Sequence, residues 1–239
     1  MTRVALVGAG GYVGRALAAA LERRADVAVT RVMRESYNQA QRGAYDILIN
    51  AAMPSKRFWA REHPREDFVE TVEKTAALVY GWRFGKFVQI STISARSQLD
   101  TVYGRHKAAA EQLCASGDNL IVRLGGMYSA DLTRGVLIDI LHGRPVFVDG
   151  ASRYCFASLT FVAEWIARNL HRAGIIELGG RDAISLREVA AAIGANITFD
   201  GPLDHQEVRS PEPDFPDARD VVTFMRDAQA RLSASRHSA

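Results

Sequence analysis

A short apolar run, Arg3-Val4-Ala5-Leu6-Val7-Gly8, ends on the first of three regularly spaced glycines, Gly8, Gly11 and Gly14. The run has no polar alternation and reads as a strand buried on both faces. From Tyr12 to Arg24 the chain is rich in alanine and leucine at helical spacing, with Leu17 and Leu21 on one face. Strand, glycine loop and helix in that order leave few folds open. A turn this tight needs residues without a Cβ, and so does backbone that lets its amides approach an anion at the positive helix end. The segment therefore predicts a pyrophosphate cradle made by Gly8, Gly10, Gly11, Tyr12, Val13 and Gly14. A dinucleotide would sit there, at the first β-α turn of a Rossmann-like, doubly wound parallel α/β sheet.

The next segments extend that sheet. Val27 to Met33 reads as a second strand, and Ile47-Leu48-Ile49-Asn50-Ala51-Ala52 as a third, ending in small residues that let a ligand lie close to the backbone. Only residues 34 to 45 separate them, too few for a further strand and helix, so one β-α unit is expected to be shortened. A binder of NAD places an acid about 20 residues after the loop, on the ribose 2′-hydroxyl. Here, at the end of the second strand, Arg31 and Arg34 precede the first nearby acid, Glu35. A guanidinium suits a 2′-phosphate, which points to NADP with NAD still open; Arg34 could equally be a solvated surface residue.

A helix is expected over 65–82, with Phe68, Val69, Val72, Ala76 and Val79 as its apolar face. Lys86 to Thr92 reads as a strand delivering the hydroxyls of Ser91 and Thr92 at its C-terminal end, the ligand edge of an open α/β sheet. Tyr103 then opens a helix through about Ala115. Tyr103 and Lys107 are four residues apart, so one helix face presents a phenol and an ammonium together. A cation within a few Å favours the phenolate, so Lys107 is expected to lower the value of Tyr103 from its ordinary 10 or so toward the working range of a general acid–base. A Tyr packed on a helix above a solvated Lys is the structural alternative.

Composition removes several classes. No apolar run approaches the roughly 20 residues that span a bilayer, and Met1-Thr2-Arg3-Val4 leads straight into the first strand, so a cytoplasmic protein without a membrane role is expected. The net charge is +3, with Lys and Arg dispersed rather than gathered in a stripe, which argues against nucleic acid. Cys114 and Cys155 have no zinc or redox spacing, and the six histidines show no metal pattern; no metal site is expected.

In family order, Gly8-x-x-Gly11-x-x-Gly14, Asn50-Ala51-Ala52, Ser91-Thr92, Tyr103-Gly104-x-x-Lys107, Arg123-Leu124-Gly125-Gly126-Met127-Tyr128 and Leu178-Gly179-Gly180 before Ser185-Leu186-x-Glu188-Val189-Ala190 recur along the chain. Together they resemble the extended short-chain dehydrogenase/reductase superfamily, the epimerase/dehydratase branch that modifies nucleotide sugars. The resemblance implies a dinucleotide-binding core over 1–125, a small C-terminal substrate-binding lobe mostly over 126–232, interleaved with the core, and a disordered tail over 233–239. It also implies the site. Tyr103 would be the general acid–base, Lys107 would tune it and hold the nicotinamide ribose, and Thr92, with Ser91 behind it, would bond the reacting oxygen. Asn50, Ala51 and Ala52 would line the cofactor, and Arg153 would contact the substrate diphosphate or form a surface salt bridge.

Relatives often dimerise through the helices expected at 65–82 and 103–115, and Ala108 to Ala110 would permit close approach in a homodimer or pack within one subunit. Three departures bear on function. Ser94 to Val102 is a clipped linker. Ile93 and Ser94 follow Thr92 where sugar dehydratases place acids, which disfavours dehydration. The helix Asn of some relatives has no counterpart. The expected activity is an NADP-dependent oxidoreductase on a carbonyl or alcohol carbon of a nucleotide sugar, a ketoreductase ahead of an epimerase. A non-catalytic NAD(P)-sensing or scaffold protein is the reading from another class.

In the C-terminal part, Leu132 to Leu141 reads as a helix and Arg144 to Val148 as a strand. Thr160 and Ser185 read as helix caps, residues 201–220 as an extended loop, and Val221 to Leu232 as a last helix.

Overall fold

The computed structural model describes residues 1–237. Five strands, β1 (Thr2–Val7), β2 (Val27–Val32), β3 (Ala44–Asn50), β4 (Arg83–Thr92) and β5 (Leu120–Leu124), pair in parallel, and the six-stranded sheet has the order β2-β1-β3-β4-β5-β9. Here β9 is Gly174–Leu178, and β6 (Met127–Tyr128), β7 (Arg153–Tyr154) and β8 (Ala157–Ser158) lie between β5 and β9 in sequence. A doubly wound sheet usually carries one more strand outside β2. Residues 34–45 form only a turn and the five-residue helix α2 (Tyr37–Gln41) before the chain crosses to β3, so β2 is left as the edge. Its outer residues, Thr30 and Arg31, are polar or solvated accordingly.

The chain divides into two compact units. The first comprises 1–124 and 160–176, the second 125–159 and 177 onward. In the first, β1 lies between β2 and β3, so successive connections run to opposite sides of β1 and its C-terminal end is the switch point at which sheets of this kind bind ligands. Register makes the strand ends level: Val7 pairs with both Val32 and Asn50. The core under this edge is apolar, with Leu48, Phe87, Leu78, Ile121 and Cys114 buried together.

The helices flanking this sheet are α1 (Tyr12–Glu22), α3 (Arg57–Glu62), α4 (Pro64–Phe68), α5 (Lys74–Gly81), α6 (Ser94–Ser97) and α7 (Val102–Cys114). A π turn, Val69–Glu73, joins α4 to α5, so 64–81 is one helix with an inserted residue. Its buried side is Asp67, Thr71, Thr75 and Leu78. This overturns the expected apolar face: Phe68 is exposed, and Val69, Val72, Ala76 and Val79 are only half-buried. The physical reason is partnership, since polar residues are buried where hydrogen bonds await them. Asn50 donates to Thr75 Oγ1 at 3.2 Å, and the imidazole of His106 meets Asp67 at 2.7 Å.

The second unit has its own core, built on Tyr154, Phe156, Leu186, Val189, Val221 and Met225. It contains α8 (Val136–Leu141), the Leu159 start of α9 (Leu159–Arg168), β10 (Ile184–Ser185), α10 (Leu186–Ala192) and α11 (Asp220–His237). Ser185 caps α10 through a reciprocal box with Glu188. Three expectations change. Residues 144–148 form no strand, only a bridge from Val146 to Phe199. The loop 201–220 is anchored rather than merely extended: Asp204 is buried and accepts from Tyr154 Oη at 2.5 Å and from Gln206 Nε2 at 2.6 Å. Helix α11 continues past Leu232 to His237, where disorder was expected from Ser233, and residues 238–239 of that expected tail lie outside the described residues.

Candidate active site

The glycine loop is built by close backbone approach. Gly8 has φ +85°, a conformation that only glycine adopts without strain, and a Cβ there would lie 2.7 Å from the Ala51 carbonyl and from Ala52 Cα. A Cβ on Gly14 would lie 2.0 Å from the Gly8 carbonyl oxygen. These two glycines press α1 against the ends of β1 and β3. The amide of Gly11 closes the turn on Gly8 O at 2.9 Å. Helix α1 has neither a side-chain cap nor an acid in its first turn. The amides around Tyr12, Val13 and Gly14 therefore begin a helix whose N-terminal positive end has no acid in its own first turn. A turn that closes only because Gly8 and Gly14 lack a Cβ, at an uncapped helix start, fits a dinucleotide pyrophosphate.

Asn50, Ala51 and Ala52 form the opposite wall. The Asn50 amide is consumed inside the protein: it donates to Thr75 and to Gln89 Oε1 at 3.1 Å, and its oxygen accepts from the Ala52 amide at 3.1 Å. Asn50 thus shapes the loop that touches Gly8, with its side-chain amide spent inside the protein. At the end of β2, Arg31 is closed off by a bidentate pair with Glu22 at 2.6 and 2.7 Å. Arg34 is exposed and, among the described residues, makes no ion pair. Met33 lies against Gly10, where an added Cβ would meet only its mobile Cε.

Thr92, Tyr103 and Lys107 are brought together at the C-terminal edge of β4. Thr101 caps α7, accepting from the Gly104 amide at 3.0 Å. Gly104 lets that helix pack onto the Ser94–Gln98 turn, since a Cβ would fall 2.0 Å from the Gln98 carbonyl oxygen. The phenol of Tyr103 shares a hydrogen bond with the side chain of Thr92. The Lys107 Nζ lies 5.1 Å from the Tyr103 ring centroid and donates to Pro54 O at 2.6 Å. Both residues are buried. Ser91 is not part of this group: its hydroxyl donates at 2.5 Å to Glu111, which Arg123 grips with two nitrogens. Its expected role as a substrate contact is replaced by one in packing β4 and β5 on α7.

The electrostatics differ from the expectation. Burial pushes Tyr103 up to about 12, opposed by the Arg57 guanidinium and the Thr92 hydrogen bond. Burial likewise brings Lys107 down to about 7, with Asp67 acting to raise it. A cation that eases Tyr103 here is Arg57, from α3. Sequence reasoning missed Arg57, Asp67 and the Pro54 carbonyl. Arg57 lies in a stretch that reads only as a charged loop and carries no readable signal. Asp67 had one: Asp67, Thr71 and Thr75 repeat every four residues, a polar stripe along one helix side.

No protein-family model matches the sequence, and no curated protein matches it. Solved structures do match in shape. RMD from Pseudomonas aeruginosa, complexed with NADPH, is 17% identical over 96% of this chain and 98% of its own, with a TM-score of 0.76. The dTDP-4-dehydrorhamnose reductase of Bacillus anthracis, in complex with NADP, is 15% identical over 94% and 98%, with a TM-score of 0.71. The UDP-glucuronic acid 4-epimerase of Bacillus cereus, a point mutant in complex with NAD and a fluorinated UDP-sugar, is 15% identical over 96% and 99%, with a TM-score of 0.67.

The chain shares the Rossmann-like α/β fold of these structures. In that fold the C-terminal end of β1 and the Tyr103–Lys107 face belong to one unit of this chain, residues 1–124 with 160–176. Arg153 belongs to the other, where its Nε donates to Glu207 at 2.8 Å and its Nη2 to Ala183 O at 2.7 Å. A substrate diphosphate would have to displace Glu207 from it. Among the described residues no helix is long and apolar enough to cross a membrane.

Proposed function

We propose that this chain is an NAD(P)-dependent oxidoreductase that interconverts a carbonyl and an alcohol carbon, acting as a ketoreductase on a nucleotide-activated sugar. The observation that carries the reading is the convergence of Thr92, Tyr103 and Lys107 in the same unit as the Gly8–Gly14 cradle. When bound, NADPH supplies hydride to the carbonyl carbon. The cradle amides and α1 would hold its pyrophosphate, and Arg34 its 2′-phosphate. Thr92 and Tyr103 orient and polarise the carbonyl oxygen, and Tyr103 gives its proton to that oxygen as charge develops. With its value near 12, the phenol is protonated at neutral pH, as a proton donor must be.

Lys107 stabilises the phenolate that is left. A bound dinucleotide brings negative charge beside it, which favours the ammonium over the amine that burial favours. The nucleotide-sugar substrate rests on the shape likeness to proteins that act on such compounds. The half-exposed apolar stripe of Phe68, Val69, Val72, Ala76 and Val79 supports a homodimer built on these helices.

Replacing Tyr103 by Phe tests the reading. The variant should bind NADPH as the wild type does and lose 100-fold or more, on the order of the general-acid contribution, in reduction of 4-keto sugar nucleotides. Full retention of that activity refutes the assignment; failure of the wild type to bind either NADPH or NADH refutes the oxidoreductase reading itself.

A further inference from the structure

Beneath the catalytic pair lies a charge that the mechanism above does not use. Asp67 is fully buried, and of its two carboxylate oxygens only Oδ2 has a partner, the imidazole of His106 at 2.7 Å; Oδ1 has none among the described residues. A buried carboxylate with an empty oxygen is costly unless a cation compensates it. Lys107 has the complementary deficit. It is 2% exposed, and its ammonium carries three donors but bonds a single acceptor, Pro54 O. Tyr103, His106 and Lys107 fall at positions i, i+3 and i+4 of α7, so all three share one face of that helix, from which His106 meets Asp67 of α4.

We propose that Asp67, held by His106, is the counter-ion of Lys107 and so a positioning residue of the catalytic pair. Asp67 is the acid that acts on Lys107, and it acts on Tyr103 as well. The other charged groups around the cluster are engaged elsewhere or solvated, apart from Arg57, which acts on Tyr103. Arg57 of α3 donates to Ser94 Oγ at 3.1 Å, Glu70 is paired with Lys74, Arg105 donates to the Asp100 carbonyl, and Lys56, Arg65 and Glu66 are exposed. His106, only partly exposed, orients the carboxylate from its solvent side. The assignment rests on the oxidoreductase reading for its meaning, since an ammonium at Lys107 is what steadies the Tyr103 phenolate. Its test does not need activity.

The test is a pH titration of the Lys107 side chain by heteronuclear NMR on lysine-labelled protein, with Lys107→Met giving the assignment. Asp67→Asn should move the Lys107 midpoint down by about one pH unit or more, and Asp67→Glu, which keeps the charge, should hold it near the wild-type value. An unchanged midpoint in Asp67→Asn overturns the proposal. If Asp67→Asn does not fold, melting temperatures decide. Lys107→Met strands the carboxylate, so Lys107→Met/Asp67→Asn should melt higher than Lys107→Met alone; an equal or lower melting point overturns the proposal. Where the enzyme turns over, the alkaline limb of the kcat profile should fall by the same interval in Asp67→Asn. A wild type that fails to bind NADPH would remove the catalytic reading and leave the charge pair to be read independently from the midpoints.

Discussion

Gly14→Ala sets two effects of known sign against each other. Gly14 sits in the first turn of α1 with ordinary helical backbone, where alanine is intrinsically better than glycine by roughly 1 kcal/mol. Against that gain, the new Cβ would lie 2.0 Å from Gly8 O, 2.8 Å from Gly8 C and 3.0 Å from Ala9 Cα, all backbone atoms of the cradle. Backbone cannot swing aside as a side-chain tip can, so α1 must lift away from β1. Overpacking of this kind costs about 1–3 kcal/mol, which leaves a net loss of about 0–2 kcal/mol and a melting point lower by up to roughly 4–8 °C. Cofactor binding should suffer more than stability, because the lifted amides are the ones offered to the pyrophosphate: a tenfold or greater rise in Kd for NADPH, about 1.4 kcal/mol. Gly10→Ala is the control, since its Cβ meets only the movable end of Met33. Fluorescence titration and thermal melts of both variants read the two quantities. Gly14→Ala binding NADPH within twofold of the wild type would refute the cradle, whatever its melting point.

Arg34→Ala should weaken NADPH at least tenfold in the same titration and leave NADH unchanged, because its guanidinium is available where that of Arg31 is taken by Glu22. Thr92→Ala should lose about 100-fold in turnover, whereas Ser91→Ala should keep its activity and lose only about 1 kcal/mol of stability, the worth of a hydrogen bond to Glu111, in paired kinetics and denaturant melts. The buried pair also sets a pH dependence of stability. Lys107 falls from an ordinary 10.5 to about 7, so between those values the unfolded chain holds more protons and stability rises with pH; Tyr103 rises from 10 to about 12, so above pH 10 its contribution is lost. Melting curves should show wild type gaining on Lys107→Met from pH 7 to about 10.5.

Much of the first unit was legible because its signals are local. A buried strand, three glycines and an amphipathic helix follow one another within Thr2–Glu22, and each is specified by neighbours in sequence. The missing outer strand could be read from chain length alone, since residues 34–45 cannot hold it. The errors arose where a partner far along the chain decided the outcome. The helix 64–81 turns Asp67, Thr71 and Thr75 inward because Asn50 and His106 wait there, and hydrophobic periodicity, which weighs only the helix itself, chose the other side. Arg144 to Val148 has the residues of a strand but finds only one bridging partner, at Phe199, and so pairs no ladder.

The site divides along the same line. Four-residue spacing was enough to place Tyr103 and Lys107 on one face, because helix geometry carries that information by itself. It could not say how they are charged, since charge state depends on burial by α3, α4 and β4 together. Spacing makes Lys107 a cation that lowers Tyr103; burial instead drives the phenol up and the ammonium down, outweighing Arg57 and Thr92 at the one and Asp67 at the other. A pair so displaced from its ordinary values is what an anionic cofactor would find when it arrives. Its negative charge would return the proton to Lys107, and the ammonium so restored could then stabilise a phenolate. On the proposed function, the spacing argument and the free protein differ by an order of events: the Tyr103–Lys107 unit would have its charges in place for general acid–base work only after the dinucleotide binds. This order predicts proton uptake on NADPH binding near pH 7, measurable by calorimetry in buffers of different ionisation heat, and none in Lys107→Met.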